Sequence, residues 1–229
     1  MKHQISIAVF LVFTSLPFAC LAQDDWGTLT GKIALNDDGE SPLRGAIVWL
    51  TKKKGVSLPI HPCMDELKQH PIELDIIDSR LNANLVTLTT GQELRITNRD
   101  KVGRGFVPIT FGNESSSSIQ PGKTQSYRFN VSDKFPGRLS DVADFRNSIP
   151  LLILDHPYIA ATNNDGEFQL DLVPKGDWEF KFWHKDHGLL KDLNSDSASS
   201  DRRGRIGFHL KSDEQTFGKL ILQTQRNAR

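Results

Sequence analysis

The chain has 229 residues, 38% of them hydrophobic and 24% charged, which is enough apolar material for a packed core and excludes wholesale disorder. Its 28 Lys and Arg balance 28 Asp and Glu, so there is no surplus positive charge to drive the counterion release that nucleic-acid binding rewards, and DNA and RNA are not expected as partners. Cysteine occurs only at Cys20 and Cys63, which excludes a disulfide-stapled scaffold, a four-cysteine zinc site and a cysteine-held iron–sulfur cluster.

Lys2 and His3 precede an apolar run from Ile5 to Phe13, followed by Leu16, Pro17 and the small-residue stretch Ala19-Cys20-Leu21-Ala22. This is the pattern of a secretory signal peptide over 1–22, with cleavage after Ala22 and a secreted or periplasmic mature chain. A competing reading makes Cys20 a lipid anchor, although Phe18 stands where a lipoprotein signal takes a small residue. No later run approaches the roughly 20 apolar residues of a transmembrane helix. With Cys20 removed, Cys63 is expected as an unpaired thiol, buried or without a role more often than a ligand.

Beyond the signal, period-2 alternation recurs and sustained 3.6-residue periodicity does not, so the chain reads as strands. Leu29, Ile33 and Leu35 alternate with polar residues, as do Tyr127, Phe129 and Val131, then Phe168, Leu170 and Leu172, then Trp178, Phe180 and Phe182. Ile206, Phe208 and Leu210, and finally Leu220 and Leu222, repeat the pattern. Continuous apolar runs at 46–50, 85–88 and 151–154 suit strands buried on both faces. The one plausible helix is a turn or two near Met64 to Gln69. Residues 191–205 are polar and free of aromatics, which predicts a solvated loop. Turn signals at Asn36-Asp37-Asp38-Gly39 and Asn163-Asn164-Asp165-Gly166 lack the ligand spacing of a calcium loop and read as hairpins. Short strands at this spacing imply an all-β fold of antiparallel sandwiches, one large or two small.

Two groups of residues resemble known folds. Trp26 to Lys32, with Pro42-Leu43-Arg44-Gly45-Ala46-Ile47-Val48-Trp49-Leu50, resembles the opening hairpin of carboxypeptidase-regulatory-like (transthyretin-like) sandwiches, and Asn164 to Gly176 resembles their closing hairpin. Thr90-Gly91-Gln92-Glu93-Leu94-Arg95-Ile96-Thr97-Asn98-Arg99-Asp100 resembles the strand and turn of a cupredoxin. Asp155-His156-Pro157-Tyr158 and Trp178 to His184 are similar to stretches of a bacterial secreted cupredoxin-like family often labelled methylamine-utilisation-like. The resemblance implies a cupredoxin-like Greek key, about 72–154, inserted into a carboxypeptidase-regulatory-like sandwich made of 26–60 and 155–229.

Copper-binding members of that family hold the metal with a His before the Gly-Gln strand, a His-Asn just after the Asn-x-Asp turn, and a Cys-x-x-His-Pro-x-Met stretch. In register with them, Asn84 stands at the first His and Arg104-Gly105 replaces His-Asn. Asp141, Asp144 and Asn147 occupy the Cys, His and Met positions. A blue-copper centre needs two imidazoles and a thiolate, so the resemblance implies a shell that has lost its copper site and takes no cofactor. An Arg104 ion pair with Asp141 or Asp144 is expected in place of the metal, against the alternative that all three are exposed loop residues without mutual contact.

Other residue combinations point to weaker chemistry. His61, Cys63 and His70 form the only other cluster of soft ligands and are metal candidates, the plainer alternative being that His61 packs or caps a turn. His184 and His187 fall on opposite faces of a strand unless a turn near Gly188 brings them together. Asp155-His156 lacks a nucleophile to activate, and Asp141 with Asp144 serves glycoside chemistry only if both flank a cleft. No Gly-x-Ser-x-Gly, His-Glu-x-x-His, phosphate-cradling loop or Cys-x-x-Cys is present, and no enzyme is expected. The favoured function is a non-catalytic binding or structural module for a protein or glycan ligand, with His156, Trp183 and His184 as its contact face. The alternative is a copper or electron-transfer protein with relocated ligands.

Overall fold

A computed structural model describes residues 25–36, 41–51, 56, 58–110, 113–114, 118–195 and 198–223. The signal segment with Cys20, and most of the turn at 36–39, lie outside the described residues. The alternating apolar residues build β1 (Trp26–Leu35) and β2 (Ile47–Thr51), after which comes one short helix, α1 (Pro62–Leu67). Next are β3 (Ile72–Ile77), β4 (Arg80–Leu81), β5 (Val86–Thr89), β6 (Glu93–Asn98), β7 (Phe106–Thr110) and β8 (Asn113–Glu114). They are followed by β9 (Thr124–Arg128), β10 (Gly137–Asp141), β11 (Ser148–Leu154), β12 (Ile159–Ala161), β13 (Glu167–Pro174) and β14 (Gly176–His184). The last are β15 (Gly188–Leu189), β16 (Leu193–Asn194), β17 (Arg205–Leu210) and β18 (Glu214–Leu222). No described helix is long and apolar enough to cross a membrane.

The described residues divide into two compact units: a continuous one, 62–157, and a split one in which those from 25 to 61 join those from 158 onward. The fold is all-β in both. In the split unit, one sheet has the order β13-β1-β18-β16 and the other β12-β2-β14-β15, with β17 also paired to β14. Trp178, Phe180 and Phe182 turn one face of β14 inward, where Phe180 and Phe182 meet Phe217 edge to face and Phe182 also meets Phe168. The turn expected to be a hairpin at 163–166 instead links β12 in one sheet to β13 in the other, and it bends at Gly166, whose φ of +75° is open only to glycine at low cost. Asn163 Oδ1 accepts the N–H groups of Asp165 and Glu167 and holds the turn in shape.

In the continuous unit, the sheets run β4-β3-β6-β9 and β5-β11-β10-β7-β8. Their inner faces supply Leu74, Ile76, Leu94, Ile96, Phe106, Leu139, Leu151 and Ile153 to one core. Burying each large side chain contributes about 1.5–3 kcal/mol.

Several expectations need correction. Pairing is mostly antiparallel, but β1 with β18, β3 with β6 and β5 with β11 are parallel. Leu172 does not continue the inward face of Phe168 and Leu170. It sits at φ +52° in a bulge against β1, which shifts the phase and sends Val173 into the core. Val131 is exposed because β9 ends at Arg128. The helix starts two residues earlier than expected, at Pro62, a residue suited to the first helical position because its missing N–H is not needed there. The 191–205 stretch is not wholly solvated: Leu193 is fully buried and its strand pairs with β18. In the full-length chain Cys63 is disulfide-bonded, whereas the expectation of an unpaired thiol concerns the mature chain without Cys20.

Candidate functional site

The pairing of β7 with β10 builds the site. Asp141 stands opposite Phe106, and Val142 donates its N–H to the Gly105 carbonyl at 2.8 Å, so the ladder carries 103–105 alongside 141–143. A cavity of about 350 Å³ opens there, lined by Gly103, Arg104, Gly105, Ser118, Asp141, Val142 and Ala143. On β10, alternation puts Asp141 on the same face as the core residue Leu139, one step beyond the apolar layer. Its carboxylate therefore ends the core, and the residue is only 4% exposed. Arg104 is fixed by its backbone, which exchanges hydrogen bonds with Ile119.

The expected ion pair between Arg104 and Asp141 or Asp144 does not form. Arg104 Nε donates instead to Asp100 Oδ2 at 2.7 Å. Asp100 wins because it is already aimed: its two oxygens accept the N–H groups of Asp78 and Ser79, at 2.8 and 2.9 Å. Burial pushes the Asp100 carboxyl up, but Arg104 and those two N–H groups outweigh it and hold it below the ordinary carboxylate value. Asp141 is satisfied within its own loop, accepting from Ala143 N at 2.8 Å and from Asn147 Nδ2 at 3.1 Å. Asp144 is exposed and pairs with Arg146 at 3.0 Å, which holds its carboxyl low.

Arg104 and Asp141 are nevertheless linked through a relay. Arg104 bonds Asp100, Asp100 bonds the Ser79 N–H, and the Ser79 carbonyl accepts from Asn147 Nδ2, which also bonds Asp141. The structure thus brings Arg104, Asp141 and Asn147 into one network and leaves Asn84 exposed in its loop and Asp144 outside it. Sequence reasoning missed Asp100, Ser79 and Asn98. The Asn98-Arg99-Asp100 turn was the available signal, since both flanking side chains are of the type that bonds nearby backbone. Asn98 is fully buried and donates to the carbonyls of Val102 and Ile119, both at 2.8 Å, while its Oδ1 accepts the Asp100 N–H.

The other candidates are placed differently. His61 is buried edge-on against Trp26, with ring centroids 5.0 Å apart, and its backbone N–H donates to the Tyr158 hydroxyl. His70 is exposed at its side chain, and its carbonyl accepts from Gln92. Cys63 is disulfide-bonded in the full-length chain and offers no thiolate there. Among the described residues no group of three or more His, Cys, Asp or Glu is placed to hold a metal. The turn after β14 brings the His184 and His187 rings to 5.1 Å. Yet His184 Nε2 donates to the Arg44 carbonyl and Nδ1 accepts the Asp186 N–H, so both ring nitrogens are taken.

Two of the three residues expected on a contact face, His156 and His184, are buried. His184 lies on the buried side of β14 with Phe182, whereas Trp183 is half-buried on the other side, as the period of 2 requires. His156 is buried and belongs to the 62–157 unit.

Burial lowers the pKa of both His61 and His184 below the ordinary 6.5. In each case the unfolded chain binds a proton that the folded chain resists. Their contribution is fully present above about pH 6.5 and is lost as pH falls through their lowered folded values. All four tryptophans, Trp26, Trp49, Trp178 and Trp183, lie in the split unit with these histidines. Denaturation followed by tryptophan fluorescence is therefore expected to show stability falling as pH drops below about 6.5. His184→Gln, whose amide can still donate to Arg44, should flatten that fall, and a stability that rises on acidification contradicts the assignment.

No family model matches the chain, and no curated protein matches it in sequence. Its neighbours among solved structures are cupredoxins. A purple cupredoxin from Nitrosopumilus maritimus has 10% identity and a TM-score of 0.31 over 36% of this chain and 98% of its own. A reduced tryptophan-to-tyrosine mutant of amicyanin has 10% identity and a TM-score of 0.33 over 46% of this chain and 97% of its own. A copper-containing nitrite reductase from Thermus scotoductus SA-01 has 8% identity and a TM-score of 0.32, over 37% of this chain and 22% of its own.

Proposed function

We propose that the mature chain is a secreted or periplasmic, non-catalytic binding module. In this reading a cupredoxin-like sandwich, about 72–154, is inserted into a carboxypeptidase-regulatory-like one and has no type 1 copper site. The observation that carries the reading is the chemistry of the cavity wall between β7 and β10. It presents the guanidinium of Arg104 and the carboxylate of Asp141, the latter bonded to the Asn147 amide. A guanidinium has no lone pair to give a metal, and a hard carboxylate with an amide does not replace a thiolate and two imidazoles for copper. These residues do not fit the ion.

Hydrolysis by paired carboxylates is disfavoured for a separate reason. Asp144 is engaged by Arg146 and does not line the cavity with Asp141, so the second carboxylate such chemistry requires is elsewhere. Metal analysis of protein purified from its native compartment tests the reading. The expected result is no stoichiometric copper and no intense visible absorption band; stoichiometric copper with such a band overturns it.

A further inference from the structure

The geometry points to a small zwitterion, an α-amino acid, as the ligand of the Arg104–Asp141 cavity. This rests on the reading of the chain as a copper-free binding module and names what that module binds.

The argument starts from charges that the protein leaves open. Arg104 uses Nε on Asp100, and its two terminal nitrogens have no partner among the described residues. An arginine anchored in this way presents the pair of parallel donors that fits a carboxylate. In the same cavity, Asp141 is almost wholly buried and accepts two neutral hydrogen bonds, but it has no cationic partner among the described residues. A buried carboxylate without a counter-charge is expensive, and a ligand ammonium group would offset that cost.

The two groups are too far apart for a direct ion pair, yet they line one cavity. Each is held by its own partners in the relay, Arg104 by Asp100 and Asp141 by Asn147, rather than by the other. A simple anion attracted to Arg104 is repelled by Asp141, and a simple cation meets the reverse. Only a ligand carrying both charges satisfies both walls. The cavity of about 350 Å³ is within the usual size for a small-molecule site. Gly103 and Gly105 flank Arg104 without side chains, and Val142 adds an apolar wall on which an aliphatic side chain can rest.

The test titrates the full mature protein with L-leucine, N-acetyl-L-leucine and L-leucinamide, by calorimetry or by NMR shifts of residues 103–105 and 141–143. Leucine is expected to bind. Loss of either charge should weaken binding about tenfold or more, the scale of one charge-assisted hydrogen bond. Arg104→Gln should erase the advantage of leucine over leucinamide, and Asp141→Asn its advantage over N-acetyl-leucine. Should a variant fail to fold, the wild-type comparison of the three ligands decides alone. Equal binding of all three, binding of the N-acetyl compound only, or no binding at millimolar ligand overturns the inference. In metal-free protein such a result leaves the copper-free reading standing; stoichiometric copper removes both.

Discussion

Replacing Phe217 by alanine is expected to destabilise the split unit by about 3–5 kcal/mol, the cost of removing a fully packed aromatic ring from a core that cannot close over the gap. Phe217 is 1% exposed and has ring centroids of Phe208, Phe180, Phe182 and Phe168 at 4.4, 5.3, 5.8 and 6.1 Å. It stands on β18 in one sheet, whereas Phe180, Phe182 and Phe208 come from the other, so its ring pins the two sheets together. Backbone packing makes the site less forgiving still. Gly31 lies on the neighbouring strand, and a β-carbon there would come within 3.2 Å of Phe217 Cβ and 2.5 Å of Phe168 Cζ, which leaves no slack to absorb rearrangement. Tryptophan fluorescence reads this unit selectively. The denaturant midpoint should fall at unchanged slope, and a loss below about 1 kcal/mol would show that the cluster is not the keystone of the core.

In the 62–157 unit the largest polar effect is expected at Asn98. Its amide joins two loops, 98–102 and 119–123, and its oxygen fixes the Asp100 N–H from which the grip on Arg104 begins. Asn98→Ala strands three backbone groups, of which the Ile119 carbonyl is buried. A loss of about 2–4 kcal/mol follows from about 1–3 for each group left unpaired, discounted for those that water can reach. Asn98→Asp should be worse, since a carboxylate can still accept from Asp100 but would face two carbonyl oxygens with nothing to donate. Circular dichroism melting of both variants checks the order. An Asp variant as stable as the wild type would mean that the two carbonyls find other donors.

Both cases show what the sequence discloses. Trp178, Phe180 and Phe182 announce their strand and its buried face by spacing alone, and the turn at 163–166 announces itself by its glycine. The bulge at Leu172 is silent, because nothing in Leu-Val distinguishes a phase shift from a continued strand until β1 is laid beside it. Parallel pairing of β1 with β18 is equally invisible to a local pattern.

At the cavity, the residue types at 104, 141 and 147 were legible, but the partners were not. Spacing along the chain does not decide between Asp100 and Asp141 as the acid for Arg104. The choice falls to Asp100 because Asp78 and Ser79 adopt φ of 51° and 68° and turn their N–H groups toward it. An Asp-Ser pair carries no glycine to advertise that conformation.

The pairing of β1 has a consequence for biogenesis. Its two neighbours are β13 and β18, which lie more than 130 residues further along the chain. During synthesis β1 therefore keeps both hydrogen-bonding edges bare until β13 is made, and one of them until β18 is made, while residues 62–157 already hold every partner their own sheets need. The continuous unit can therefore nucleate first, and the split unit is closed only when β18 arrives beside the strand that has waited for it.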